Sequence, residues 1–429
     1  MNYEQCQRYL DEILNLGIKF GLENVQTVLS SLDNPQERYP SVIVGGTNGK
    51  GSVCAMLTHI LSRHGLHAGL YTSPHLVKAE ERMRVGMSPI TSDDFCTELT
   101  LLREHIEELL RVKELTSPPT YFELLTCLAF HYFWEQKVDI AVLEVGMGGR
   151  FDATNVVAPV VSVITTISKE HQKFLGKTLR SIAFEKAGII KPGVPVVCGV
   201  RKGQAHKTIR ERAQEVGAPF YGVFDRKGCF HEQMASDKYS FIYQSPNDTY
   251  HFSPSLPGKH QGQNAAVALV VAELLSERWK RLKKEKIIQG IEETRWEGRL
   301  ETLSEAPFVL LDGAHNEEGA KALRSYVQEF IHKPVTLVVA FKGDKDIKKL
   351  VNILFPLAKK IIITRFSFLK AAEPEEIRAK SPAFQDRIVL EPDVKKAVEV
   401  ALSDAGRDGC VLIAGSIYLA GEVKKLVAF

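Results

Sequence analysis

The chain has 429 residues, a formal net charge of +3, and 44 % hydrophobic and 25 % charged residues. That length is too great for one ordinary core and predicts two domains, while so mild a charge gives no electrostatic case for a nucleic-acid partner. Seven scattered cysteines without a C-x-x-C pair exclude a disulfide framework or zinc site as the organising device.

The first residues, "MNYEQCQRYLDEIL", are polar and acidic, unlike a signal peptide. "SVIVGG" then reads as a buried strand, and "SVCAMLTHILSRHG" as a helix stopped at Gly65. Between them lies Gly45–Ser52, "GGTNGKGS". Strand, glycine turn and helix in that order are the setting of a phosphate loop: backbone N–H groups approach phosphate oxygens and the helix N-terminus adds partial positive charge. Lys50 would reach the β and γ phosphates. The pattern departs from G-x-x-x-x-G-K-[ST], because Gly51 follows the lysine and Ser52 comes one later.

In "YTSPHLVKAEERMRVG", Ser73 follows a short strand-like run and faces the same sheet edge, while Glu81, Arg82 and Arg84 read as a solvated face. "AVLEVGMGGRFDATN" places Glu144 inside an apolar strand, where an unpaired carboxylate is costly and a Mg²⁺-binding acid is expected beside a phosphate loop. "VVSVITTIS" is a further strand, followed after three residues by His171, and "VPVVCGV" another. Lys186, in "IAFEKAGIIKPG", reads from the residues alone as a solvated helical lysine. From about Tyr221 to Pro257, "YGVFDRKGCF", "YSFIYQ" and "TYHFS" predict an appended antiparallel sheet. "NAAVALVVAELL" predicts a helix with Asn264 as N-cap; its apolar run is broken by Glu273 and is too short to cross a bilayer. After "RWEGRLE" a second α/β series begins, with strands in "FVLLDGAHN", "TLVVAFKGDKD", "KIIITRF" and "CVLIAGS". Such sheets bind ligands at the carboxyl ends of their strands.

The ordered set "GGTNGKGS", "YTSPHL", "ER", "TYFE", "LEVGMGGRFDATN", "FEKAGIIKPG", "LPGKHQGQNAAVA", "GRLE", "LDGAHN" and "GSIYLAGEV" resembles the folylpolyglutamate synthases, folate-type members of the Mur ligase superfamily, from about Leu16 onward. The resemblance implies an α/β fold: a P-loop-containing parallel-sheet ATPase domain with a small appended antiparallel sheet, at 1–296, then a smaller Rossmann-like glutamate-ligase domain, at 297–429. It implies ATP-dependent addition of glutamate to the tail of tetrahydrofolate through an acyl phosphate, with dihydrofolate synthase activity as the alternative. Asn48, Gly49, Lys50, Gly51, Ser52, Asn264, Arg299 and Asp312 would bind ATP. Ser73, Glu144, His171 and a carbamylated Lys186 would hold one or two Mg²⁺, with a monovalent cation admitted beside them. Lys50, Glu144, His171 and Lys186 would carry the chemistry. Arg82, Thr120, Tyr121, Phe122, Glu123, Arg150 and Asp152 would meet folate, and His315 and Ser416 glutamate. Glu170, Glu297 and Glu317 depart from the family's usual aspartate and prolines. The expected protein is a cytosolic monomer acting on small molecules, with no nucleic acid or membrane as partner. A Mur-type ligase acting on a cell-wall nucleotide and a nucleotide switch are the competing readings. "TYFE" and "SPHL…ER" count against the first, and the lack of N-K-x-D against a GTP-binding switch.

Overall fold

The computed structural model describes every residue except 15, 16, 18, 20, 236, 237, 281, 369 and 427–429, so Leu16, where the resemblance begins, is outside it. The larger sheet contains β1 (Ser41–Gly45), β2 (Ala68–Tyr71), β3 (Met83–Val85), β4 (Ser88–Pro89), β5 (Ile140–Glu144), β6 (Val161–Ile164), β7 (Val196–Cys198) and β8 (Phe220–Gly222). Their spatial order is β4-β3-β2-β5-β1-β6-β7-β8. From β2 to β8 the strands are parallel; β3 and β4 form an antiparallel edge. β1 and β5 are buried at every position, which is why they read as unbroken apolar runs and not as alternating ones. Separate hydrophobic clusters cover the two faces of the sheet.

A three-stranded antiparallel sheet follows: β9 (Phe230–Ala235), β10 (Lys238–Gln244) and β11 (Thr249–Phe252), in the order β11-β10-β9. The expected appended sheet is therefore present but begins later than anticipated. Tyr221 lies in β8, which pairs parallel with β7 and closes the large sheet. The stretch "YGV" looked like the start of a hairpin because β8 is a short, partly exposed edge strand without an apolar run.

The helix expected at Asn264 starts earlier, at Lys259, with Gly258 as its N-cap, and runs to Arg278. Asn264 is inside the second turn, where its Nδ2 donates to Gln261 Oε1 at 2.9 Å. Gly262 explains the missed turn. A side chain there would strike the Phe241 ring of β10, so the small sheet packs directly on this helix.

The remaining sheet contains β12 (Glu301–Glu305), β13 (Phe308–Leu311), β14 (Val335–Val339), β15 (Lys360–Ile363), β16 (Ile388–Leu390) and β17 (Cys410–Ala414), in the order β12-β13-β17-β14-β15-β16. All but β12 are parallel, and helices cover both faces. The four expected strands are its centre. β12 and β16 are short edges whose half-exposed residues carry little hydrophobic signal. The carboxyl ends of both sheets open on one cleft of about 1900 Å³. No helix among the described residues is long and apolar enough to cross a membrane.

Candidate active site

The turn after β1 is anchored to the end of β6. Thr47 N–H donates to Thr166 O at 2.7 Å and Asn48 N–H to Thr166 Oγ1 at 2.9 Å, while the hydroxyls of Thr165 and Thr166 donate to Asn48 O. Gly46 and Gly49 have φ of 140° and 85°, and a Cβ on Gly49 would lie 2.3 Å from Asn264 Oδ1. A Cβ on Gly46 would lie 2.0 Å from Thr165 Oγ1, so glycine is required at both positions, for conformation and for close approach. The helix Lys50–Arg63 begins here, and its first-turn N–H groups lack intrahelical acceptors. They face the cleft, as a phosphate site requires. Ser52 is nearly inaccessible, and its hydroxyl accepts from Gln261 Nε2 at 3.3 Å.

Lys50 Nζ lies 3.2 Å from Thr47 O and 3.9 Å from Glu144 Oε1. Glu144 ends β5, and its other oxygen accepts from Ser73 N–H at 3.1 Å. Burial pushes the Glu144 carboxyl up, opposed by Lys50, the Ser73 N–H, Arg299 and Arg82. Gly51 shows why the hydroxyl is absent from its usual place. A Cβ there would sit 3.1 Å from Trp296 Nε1 and 3.5 Å from Glu144 Oε2.

On the other side of Lys50, His171 adopts φ 45° after β6, beside Glu170. Burial, with the nearby lysines, lowers His171 to about 4, so the ring is neutral. Lys186 is 2 % exposed, which overturns its reading as a solvated lysine. Its Nζ donates to Gly46 O at 2.8 Å and Glu170 Oε1 at 2.9 Å. Burial raises the Glu170 carboxyl, but Lys186, Lys50 and His171 outweigh it and hold the group at about 2.

The four expected metal ligands therefore form two pairs, Ser73 with Glu144 and His171 with Lys186, the second joined by Glu170, and Lys50 acts on both. No three His, Cys, Asp or Glu side chains converge on one point among the described residues. Glu144 and the Ser73 hydroxyl nevertheless fit the oxygen-rich, partial donor set of a Mg²⁺ completed by phosphate oxygens and water.

The reading of Glu81, Arg82 and Arg84 as a solvated face is also overturned. The Glu81 carboxylate accepts from the N–H groups of Leu76, Val77 and Lys78 at 2.8–2.9 Å, holding the Ser73 segment in shape. Arg84 stacks on Trp296. Arg82 is 8 % exposed, donates to His75 Nδ1 at 2.9 Å and stacks over Tyr121 at 5.3 Å. Burial, with Arg82, lowers His75 to about 3.

The expected folate residues line the cleft, but several use their polar atoms internally. Thr120 and Glu123 form a reciprocal capping box at the start of the helix Tyr121–Glu135. The T-x-x-E spacing could have announced this. Asp152 accepts from Met147 N–H, Thr154 N–H and Thr154 Oγ1, shaping the glycine-rich turn after β5. Arg150 forms a two-pronged pair with Glu185 between the rings of Phe151 and Phe184. Phe122 packs against Gly146 and Tyr71.

From the turn before β12 of the six-stranded sheet, the second sheet facing the cleft, Arg299 reaches the cleft and acts electrostatically on Glu144 and Asp312. Asp312 accepts from Leu300 N–H and Ala314 N–H, fixing the turn around Arg299. His315 Nδ1 bonds Gly313 O at 2.9 Å, leaving Nε2 as the acceptor, and Ser416 Oγ accepts from Tyr418 N–H. Two residues escaped the sequence reading. Asn316 exchanges amide hydrogen bonds with Asn48, tying the phosphate loop to the second sheet. Lys345 lines the cleft and acts on both His171 and His315. A polar tip after a strand was the signal for each.

Residues 44–272 match the Mur ligase middle domain, and residues 299–426 the C-terminal domain of dihydrofolate synthetase. With the phosphate loop, the buried Glu144 and a second sheet closing the cleft, these define an ATP-dependent ligase of the Mur superfamily. The Bacillus subtilis dihydrofolate synthase/folylpolyglutamate synthase is 35 % identical over 99 % of this chain and 98 % of its own. Among solved structures, Mycobacterium tuberculosis folylpolyglutamate synthase complexed with ADP aligns with a TM-score of 0.91 and 29 % identity, covering 99 % of this chain and 98 % of that one. E. coli FolC in complex with DHPP and ADP aligns with a TM-score of 0.85 and 28 % identity, covering 98 % and 97 %. The chain belongs to the dihydrofolate synthase/folylpolyglutamate synthase family.

Proposed function

We propose that this protein joins the amino group of L-glutamate to the terminal carboxylate of a folate's glutamyl tail, converting ATP to ADP and phosphate. The observation that carries this reading is the single cleft of about 1900 Å³, which runs from the phosphate loop past Glu144 to Tyr121, Phe122 and Asp152 and is faced by His315 and Ser416. That is several times a single small-ligand pocket and matches a reaction with three substrates. The units proposed are 1–296 and 297–429, hinged at Trp296, acting as a monomer in the cytosol.

The γ-phosphoryl group passes to the tail carboxylate, giving an acyl phosphate and ADP. Glutamate's amine then attacks the acyl carbon, phosphate leaves from the tetrahedral intermediate, and the amine's proton passes to solvent. Lys50 and Arg299 spread the phosphate charge, and the first-turn N–H groups of the Lys50–Arg63 helix hold the phosphates. Ser73 and Glu144 would hold one Mg²⁺ and His171 a second; when bound, the ion neutralises charge on the transferred phosphoryl group. Closure of the second sheet over the loop, through Asn316 and Asn48, keeps water from the acyl phosphate. Lys186 belongs to the second metal position as a carbamate, an oxygen ligand where an ammonium could be none. Its burial disfavours the charged amine.

The test is incubation with ATP, Mg²⁺, tetrahydrofolate and glutamate, following ADP and folate length. ADP release that does not depend on both substrates refutes the reading. Dihydropteroate in place of folate tests the second activity, which the DHPP complex of the E. coli relative favours.

A further inference from the structure

Arg82 presents an unusual charge balance. The side chain is buried, yet no carboxylate lies within ion-pair distance of it among the described residues; its one side-chain hydrogen bond there is from Nε to His75. A buried cation without a partner is strongly unfavourable. The two terminal nitrogens form a planar fork, face the cleft, and match a carboxylate in a two-pronged pair.

His75 defines how that fork is aimed. Nε–H of an arginine only donates, so His75 Nδ1 must accept and the ring proton must sit on Nε2. His75 is thus a neutral ring in one tautomer, with an N–H donor left over. Tyr121 fixes the guanidinium plane from below. The charge acts on Tyr121 and on Tyr418 from the helix Ile417–Leu426, and on Glu144 less than Lys50 or Arg299 do. Arg82, Tyr121 and Tyr418 line the cleft together, so the guanidinium stands at the seam between the substrate wall and the helix Ile417–Leu426.

We propose that Arg82 and His75 form a carboxylate receptor at this seam, with Arg82 binding a substrate carboxylate and His75 acting as its positioning residue. This rests on the ligase reading, which offers two carboxylates of the same chemistry: one on the incoming glutamate and one on the folate tail.

The test measures KM separately for glutamate, folate and ATP in Arg82→Lys, His75→Phe and His75→Asn. Lysine keeps the charge but loses the fork. Phenylalanine keeps a ring but removes the acceptor for Arg82. Asparagine puts a carbonyl oxygen near the place of Nδ1 and restores it. The lysine and phenylalanine variants should raise KM for one carboxylate substrate by about tenfold, a loss of about 1.4 kcal/mol, with the ATP value unchanged. The asparagine variant should recover most of that loss. A rise for glutamate assigns the receptor to the incoming amino acid; a rise for folate assigns it to the tail. Unchanged KM for both in a His75→Phe enzyme that still binds ADP overturns the proposal, as does a rise confined to ATP. If the wild type releases no ADP with both substrates, the ligase reading fails instead. Calorimetric titration of glutamate and of folate into wild type and His75→Phe then still decides the receptor.

Discussion

Gly51→Ser restores the hydroxyl that most phosphate loops carry after the lysine, and it should damage this enzyme. Gly51 is helical, so serine there gains about 0.5 kcal/mol in helix propensity. Against this, the new Cβ meets Trp296 Nε1 at 3.1 Å and Glu144 Oε2 at 3.5 Å, and the hydroxyl extends further into the same space. Overpacking of this kind costs about 1–3 kcal/mol. Trp296 is held by Arg84, so the strain falls on Glu144, or the new hydroxyl captures its carboxylate. A net loss of about 1–2 kcal/mol expressed in the transition state lowers kcat/KM roughly tenfold. The melting temperature should fall by only a few degrees, because so small a loss is divided by the large unfolding entropy of a domain of this size. Gly51→Ala, with the methyl alone, should lose less. The assay is substrate-dependent ADP release beside a thermal melt. A Gly51→Ser enzyme with wild-type or higher kcat/KM would refute the argument that Glu144 and Trp296 occupy the hydroxyl's place.

Gly421→Ala places a Cβ 1.8 Å from Leu76 O, a backbone atom that cannot swing away. It should lower kcat and raise the Mg²⁺ concentration needed for half activity, with ADP affinity unchanged; unaltered Mg²⁺ dependence counts against coupling through Leu76. Lys186 should gain the mass of one CO₂ in bicarbonate when Mg²⁺ and nucleotide are present, because the metal must separate the carbamate from Glu170. A bare amine in crystals grown that way contradicts it. Burial, with Arg299 and Lys345 respectively, holds His260 and His315 at about 4, below their unfolded value, so the unfolded chain takes up more protons between pH 6.5 and 4. Their contribution to stability is full above pH 6.5 and falls on acidification, by at most about 2 kcal/mol each at pH 5. A melting temperature equal at pH 7 and pH 5, and equally flat in the double His→Gln variant, would contradict that sign.

The parts of this protein that sequence reveals are those whose cause is local. β1, the glycine turn and the following helix are legible because burial on both faces, positive φ and helix periodicity each leave a mark within a few residues. Glu144 is legible because a carboxylate in an apolar strand is improbable without a purpose. Arg82 and Lys186 were misread because their burial is imposed by other elements: the wall around Tyr121 for one, Gly46 and Glu170 for the other. Nothing in "EER" or "FEKAG" records those neighbours. Asn264 was misread as a cap because Gly262, which seats Phe241, looks like a helix stop until the small sheet is in place. Thr120 and Glu123 mark the opposite limit: their capping box was readable from T-x-x-E alone, and the same two residues line the cleft.

The displaced hydroxyl also acquires a reason at the level of the whole molecule. Ser73 belongs to a segment that touches both units. Glu81 fixes its shape from within the first. Leu76 packs against Gly298 at the hinge and against Gly421 on the helix Ile417–Leu426. One turn on, Lys424 pairs with Glu297 at 2.8 Å and Glu301 at 2.7 Å, so the residue that departs from the family's proline clamps the hinge to that same helix. A hydroxyl at position 51 would be in place whenever ATP binds. On the proposed division into two units, one carried by the Leu76 segment would depend on the second unit, whose Gly421 sits against the Leu76 backbone. For a reaction whose acyl phosphate must not meet water, tying the proposed metal ligand Ser73 to closure would delay phosphoryl transfer until the cleft is shut.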